Sequence, residues 1–199
     1  MIQAGLAAPR RAMRVTGLVL AAALLRALLL PAGDLLSTGV FGACLLAISW
    51  AERAAPTPPS PASGGGTLPA AMGKVASIVA GLMVGAILLA PVVGGRLSGR
   101  PLADFWTWAA IAAVIATLEE TAIRGALYQR WSEEASPAVA IVAGAAVFAL
   151  IHLPRYGLAA MPLDAAVGLA LGGLRAVSGR VLPCAIAHSI ADWGAWFWA

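Results

Sequence analysis

The chain has 199 residues, of which 61% are of the types AVILMFWYC and 11% are charged, and its mean hydropathy is +0.88. So few polar groups cannot cover a soluble globule of this size, which excludes a water-soluble domain and predicts an all-α, polytopic transmembrane helical bundle. The net charge of +4 does not point to nucleic acid: the basic residues are scattered between apolar runs, no aromatic-basic stripe appears, and they read as topology signals.

The N-terminal stretch RRAMRVTGLVLAAALLRALLLPAGD is basic and then apolar, as a signal peptide is. Its apolar run is long, Arg26 interrupts it and no small-x-small cleavage site follows, so it is read as a retained first helix. Arg26 itself is expected to snorkel, or to meet Asp34 near the helix end, rather than to serve catalysis. Apolar windows predict helices over 15–31, 35–51, 73–93, 104–130, 137–153, 161–177 and 181–198, about seven spans at ~20 residues per bilayer crossing.

Between the second and third windows, ERAAPTPPSPASGGGTLPAAMG is too rich in Pro, Gly and Ser for a helix interior. The expected organisation is therefore a two-helix membrane segment over 1–51, a linker over 52–73 and a catalytic membrane domain over 74–199. Arg10, Arg11, Arg14, Arg53, Lys74, Arg130, Arg175 and Arg180 fall on the side of the N-terminus, against Arg96, Arg100 and Arg155 on the other. The positive-inside rule then places the N-terminus in the cytoplasm. Cys44 and Cys184 lie in or beside apolar runs without metal-type spacing and read as buried small residues.

An ionisable side chain within a membrane span costs ~2.5–3.5 kcal/mol on insertion scales and marks a functional site by default. Those singled out are Glu119, Glu120 and Arg124 in LEETAIRG, His152 in FALIHLP, and His188 and Asp192 in AHSIADW; the two histidines are the only ones in the chain. Each group contains an i, i+4 pair on one helix face: Glu120 with Arg124, Phe148 with His152, His188 with Asp192. Glu120 and Arg124 neutralise each other in this reading, while Glu119, turned by ~100° about the helix, is free for chemistry. Spacing alone also admits the reverse assignment. At ~1.5 Å rise per residue the groups fall in one layer of the bundle, so antiparallel neighbours can gather two imidazoles and the carboxylates around one site.

That inventory suits hydrolysis. A carboxylate can act as general base toward a water attacking a carbonyl carbon, with imidazoles and a polar partner stabilising the oxyanion. Alternatively two His and a carboxylate hold a Zn²⁺ whose bound water is the nucleophile, with Glu119, His152, His188 and Asp192 as the candidate ligands. No Ser or Cys is placed as a convincing nucleophile, since Ser189 points from a different face than His188 and Cys184 has no assigned base.

EETAIRG, FALIH and HSIAD resemble the EExxxR, FxxxH and HxxxN motifs of the CAAX-protease and bacteriocin-processing (CPBP or ABI) family of intramembrane proteases, in the same order, over about 104–199. The resemblance implies that Glu119 activates water, that Glu120 and Arg124 support it, and that His152 and His188 complete the site. It departs at Asp192, where the family has Asn: an ionised carboxylate accepts and cannot replace an amide donor, which favours a metal-ligand or His-orienting role.

The Ala-rich, Arg-over-Lys composition suggests a GC-rich bacterium, and the resemblance then implies an endopeptidase of its inner membrane that cleaves a membrane-associated peptide or protein tail, in C-terminal sorting-signal or peptide processing. Its expected partners are the lipid bilayer and that substrate. The rival readings are a catalytically silent immunity or scaffold protein on the same fold, and a proton-coupled carrier. A carrier predicts two related halves with broken helices, and no internal repeat is visible.

Overall fold

The computed structural model describes residues 9–54, 73–88 and 104–198. The predicted linker lies outside them from 55 to 72, as do residues 89–93 of the third predicted helix and the loop arginines Arg96 and Arg100. Among the described residues the chain is helical, without strands, and forms the membrane bundle that its composition requires. The helices are α1 (Arg10–Leu29), α2 (Asp34–Ala54), α3 (Lys74–Leu88), α4 (Phe105–Glu120), α5 (Tyr128–Glu134), α6 (Pro137–Tyr156), α7 (Met161–Ser178) and α8 (Leu182–Trp198). Four apolar segments, Arg10–Ala32, Asp34–Ala54, Pro137–Tyr156 and Leu158–Ser178, are long enough to cross a bilayer by length and composition.

The predicted helix over 104–130 runs on to Glu134 and contains a π-helical segment, Thr121–Leu127, that joins α4 to α5. Asp104 caps its start, accepting from the backbone N–H groups of Trp106 and Thr107 at 3.0 and 3.1 Å. Ser136 caps α6 in the same way, with Pro137 in the first turn, where its missing N–H costs nothing. α6 continues past the predicted boundary through Pro154 and stops at Gly157, whose φ of +75° no side chain favours. Gly179 ends α7 in the left-handed conformation, its N–H donating to the Arg175 carbonyl.

α6 packs along α7, α3 and α4 lie against α8, and α1 pairs with α2. Two glycine pairs at i, i+4 set the closest approaches. A Cβ on Gly168 of α7 would stand 2.7 Å from the Ala145 Cα of α6, and one on Gly172 would stand 2.9 Å from Ile141 Cγ2. A Cβ on Gly81 of α3 would lie 2.7 Å from the Pro183 carbonyl of α8, and one on Gly85 2.8 Å from Ile190 Cδ1. Lipid tails are as apolar as leucine, so helix pairs in a bilayer are held by such backbone-to-backbone packing.

Val15, Val19, Ala22 and Ala23 of α1 and Phe41 and Leu45 of α2 share one buried cluster with Ile123, Leu127, Val147, Phe148, Ile151, Leu171 and Ala187. Polar ties close the N-terminal end of the same contact. Glu134 accepts from the Arg11 and Ala12 backbone N–H groups at the start of α1, the Trp131 indole donates to Thr16 Oγ1, and Glu52 of α2 pairs with Arg14 and Arg130 at 2.6 and 2.7 Å. Cys184 is buried and Cys44 half-buried, both as free thiols.

Gly168→Ala forces its methyl group into the α6 backbone and should destabilise the protein by about 1–3 kcal/mol. Gly173→Ala, with open space at its Cβ position, should not. Thermal unfolding of the two variants in detergent checks the difference.

Candidate active site

The end of α4 delivers adjacent carboxylates to different surroundings. Glu120 is 0% exposed, and its Oε1 accepts from Arg124 Nη1 at 3.0 Å and from His188 Nδ1 at 3.0 Å. Its Oε2 is enclosed without a hydrogen-bond partner among the described residues. Arg124, 1% exposed, also donates from Nη2 to the Gly168 carbonyl at 3.0 Å and lies over the Phe148 ring, 4.8 Å from its centroid. Arg175 Nε donates to the Arg124 carbonyl at 2.9 Å, satisfying a backbone acceptor within the π segment.

Glu119 faces the other way. Its Oε2 stands 3.9 Å from His152 Nε2 of α6 and 3.8 Å from His188 Nε2 of α8. The hydrogen bonds on the far side of each ring fix the tautomers: the Phe148 carbonyl can only accept, so His152 Nδ1 donates to it at 2.8 Å, and His188 Nδ1 donates to Glu120. Both Nε2 atoms therefore present lone pairs toward Glu119 when the rings are neutral. Separations of 3.8–3.9 Å exceed a hydrogen bond and leave room for a bridging water or ion.

The six residues singled out in the sequence, Glu119, Glu120, Arg124, His152, His188 and Asp192, come together from three helical segments. Glu120 pairs with Arg124 while Glu119 faces the histidines, the first of the two arrangements that the spacing admitted. Asp192 Oδ1 lies 3.6 Å from His188 Nε2, too far for a direct hydrogen bond. The potential ligand atoms of Glu119, His152 and His188 all fall within 4.8 Å of one another, and Asp192 stands outside that set.

One expectation is overturned. Arg155, and not Arg26, meets Asp34, at 2.6 Å. Arg26 turns inward, because the Phe41 ring and Thr38 of α2 offer its guanidinium a surface beside the site, and its Nη1 lies 3.9 Å from Glu119 Oε1. Asp164, in the first turn of α7, was not singled out. It interacts electrostatically with both histidines, Asp192 and Glu119, and its Oδ2 is enclosed without a hydrogen-bond partner among the described residues. The intramembrane-acid rule that selected Glu119 could have found it. Tyr156, stacked on His152 at 5.6 Å, carries no sequence signal of this kind.

Residues 101–194 match the family described as type II CAAX prenyl endopeptidase Rce1-like, a span that holds all three motifs. This part of the chain, a little under half of it, is similar to the CAAX-protease family. The class of chemistry that comes with it is CAAX-type intramembrane proteolysis. No curated protein and no solved structure matches the chain. Arg26, which reaches this CAAX-protease segment from α1, lies outside the matched residues.

Arg124→Ala should destabilise the protein by about 3 kcal/mol or more and lower its accumulation in the membrane, because it strands Glu120 as a buried, unpaired charge. Adding Glu120→Gln should recover part of that loss. Quantifying folded protein by size-exclusion chromatography after extraction checks both.

Proposed function

We propose that the protein is an intramembrane endopeptidase that cleaves a membrane-associated peptide or protein tail by attack of a water activated by Glu119. The observation that supports this most is the division of labour at the end of α4. Glu120 is held at 3.0 Å by Arg124 and His188, while Glu119 meets its neighbours at 3.8–3.9 Å, with space for a reactant. In the proposed step Glu119 takes a proton from water as the water oxygen bonds to the peptide carbonyl carbon. The tetrahedral oxyanion then collapses, the C–N bond breaks, and the proton returns from Glu119 to the departing nitrogen, leaving a carboxylic acid and an amine.

Glu120, through His188 Nδ1, and the Phe148 carbonyl, through His152 Nδ1, keep both Nε2 atoms directed at the reacting group. The same donors suit a metal: Glu119, His152 and His188 are a Zn²⁺-type set of three, with the outer hydrogen bonds that metal-binding imidazoles use. A bound Zn²⁺ would supply Lewis-acid polarisation of the carbonyl. We further propose a bacterial inner-membrane location with the N-terminus in the cytoplasm, on the distribution of Lys and Arg.

Glu119→Gln keeps the shape and cannot accept water's proton, so it should lower cleavage of a membrane-tail substrate by ~10²-fold or more. Its accumulation in the membrane should stay normal; full activity would remove Glu119 from the mechanism. Asp192→Asn should lower activity about tenfold if the carboxylate, 3.6 Å from His188 Nε2, accepts from a water that also donates to that nitrogen, within the range for such outer partners. A pH-rate profile with metal content measured on both proteins tests this, and a metal-free Asn variant that outperforms the parent at high pH refutes the acceptor role.

A further inference from the structure

Glu119 has a different neighbour on each of its oxygens. Oε2 faces the imidazoles, and Oε1 faces Arg26 Nη1 at 3.9 Å. Among the described residues the other arginines in ion pairs sit close to their carboxylates: Arg14 at 2.6 Å, Arg124 at 3.0 Å, Arg130 at 2.7 Å and Arg155 at 2.6 Å. Arg26 is held back from Glu119 although its side chain is only 13% exposed. What holds it is α2: the guanidinium carbon lies 5.0 Å from the Phe41 ring centroid, and Nη2 donates a long hydrogen bond to Thr38 Oγ1 at 3.5 Å.

A reaction through a tetrahedral oxyanion needs a donor aimed at the developing charge. The Nδ1 hydrogens of His152 and His188 are spent on Phe148 and Glu120, and Asp164 and Asp192 are acceptors when ionised. A guanidinium carries five N–H donors, and Thr38 engages one of them. Removed from water, such a donor acts on a nearby charge far more strongly than a surface arginine does. At 3.9 Å the base and the guanidinium are not hydrogen-bonded to each other, so a carbonyl docked beside the pair can turn its carbon to the water on Glu119 and its oxygen to Arg26.

We infer that Arg26 is a further catalytic residue, whose guanidinium hydrogen-bonds the carbonyl oxygen and stabilises the oxyanion formed when water adds to the peptide. This rests on the proteolytic reading of Glu119. No charge is transferred to Arg26: the oxyanion electron pair reforms the carbonyl as the C–N bond breaks, and the arginine stays protonated throughout. It also gives α1 a part in the chemistry that the segment over 101–194 does not contain.

The test uses the full chain in nanodiscs, with a pool of quenched-fluorescent apolar decapeptides for turnover and a pool of apolar peptidyl phosphonates, with their neutral methyl esters, for binding. Arg26→Gln should lower kcat by ~10²-fold or more with KM little changed, as loss of an oxyanion donor does. The parent should bind the anionic phosphonates at least tenfold more tightly than the esters, and Arg26→Gln should abolish that preference. Arg26→Lys, a point charge without the planar fork, should fall between the two. It supplies the same readings where the Gln variant does not fold.

A variant with parent-like kcat, or one that keeps the phosphonate preference, overturns the proposal. So does a parent that does not discriminate phosphonate from ester. Arg26-dependent phosphonate binding by a parent that cleaves no peptide would instead refute the proteolytic reading and leave the oxyanion site standing.

Discussion

The structure depends on one buried arginine. A bilayer offers no hydrogen bonds, so the charge of Arg124 has to be met from within the bundle, and the groups that meet it come from every side. Glu120 approaches from α4, the Gly168 carbonyl from α7, the Phe148 ring from α6, and His188 reaches the same Glu120 oxygen from α8. Gly168 serves twice. Without a side chain it lets α7 lie against the Ala145 backbone, and that approach brings its carbonyl within 3.0 Å of the guanidinium. Helix packing and charge neutralisation therefore meet at one residue.

The π segment belongs to this arrangement. Thr121–Leu127 interrupts the regular hydrogen-bond ladder immediately after the two glutamates, and the Arg124 carbonyl finds its partner in Arg175 of α7. Single π turns within α-helices occur frequently at functional sites. Here the segment follows a pair of adjacent residues that the helix turns ~100° apart, so one carboxylate enters the packed interior and the other the open side.

Which parts of this were legible in the sequence follows from the range of the interactions. Glu120 with Arg124 is a local, i, i+4 relation, and the histidines stand out because an imidazole in an apolar run needs a reason. Arg26 obeys no local rule. Its position inside the first apolar run suggested a helix-end partner, and only the placement of α1 and α2 beside α4 shows that Arg155 takes Asp34 and leaves Arg26 facing Glu119. The π segment is equally silent, since TAIRGAL carries the apolar pattern of an ordinary helix. The GLMVG and GLALG spacings of α3 and α7 do encode close contacts, but not which helix each contacts.

The contrast between the two neighbouring glutamates carries the functional argument further than the inventory of polar groups does. Around Glu120 the partners stand at 3.0 Å, and bonds of that length leave no space for a third molecule. Around Glu119 two imidazole Nε2 atoms and a guanidinium stand at 3.8–3.9 Å, each fixed from behind: His152 by the Phe148 carbonyl, His188 by Glu120, and Arg26 by Phe41 and Thr38. Left to itself, the guanidinium would close to hydrogen-bond distance, as that of Arg155 does with Asp34 at the bundle end. A shell kept open from behind is preorganised for a polar guest, and a water bridging Glu119 to these groups is a guest of that size and polarity.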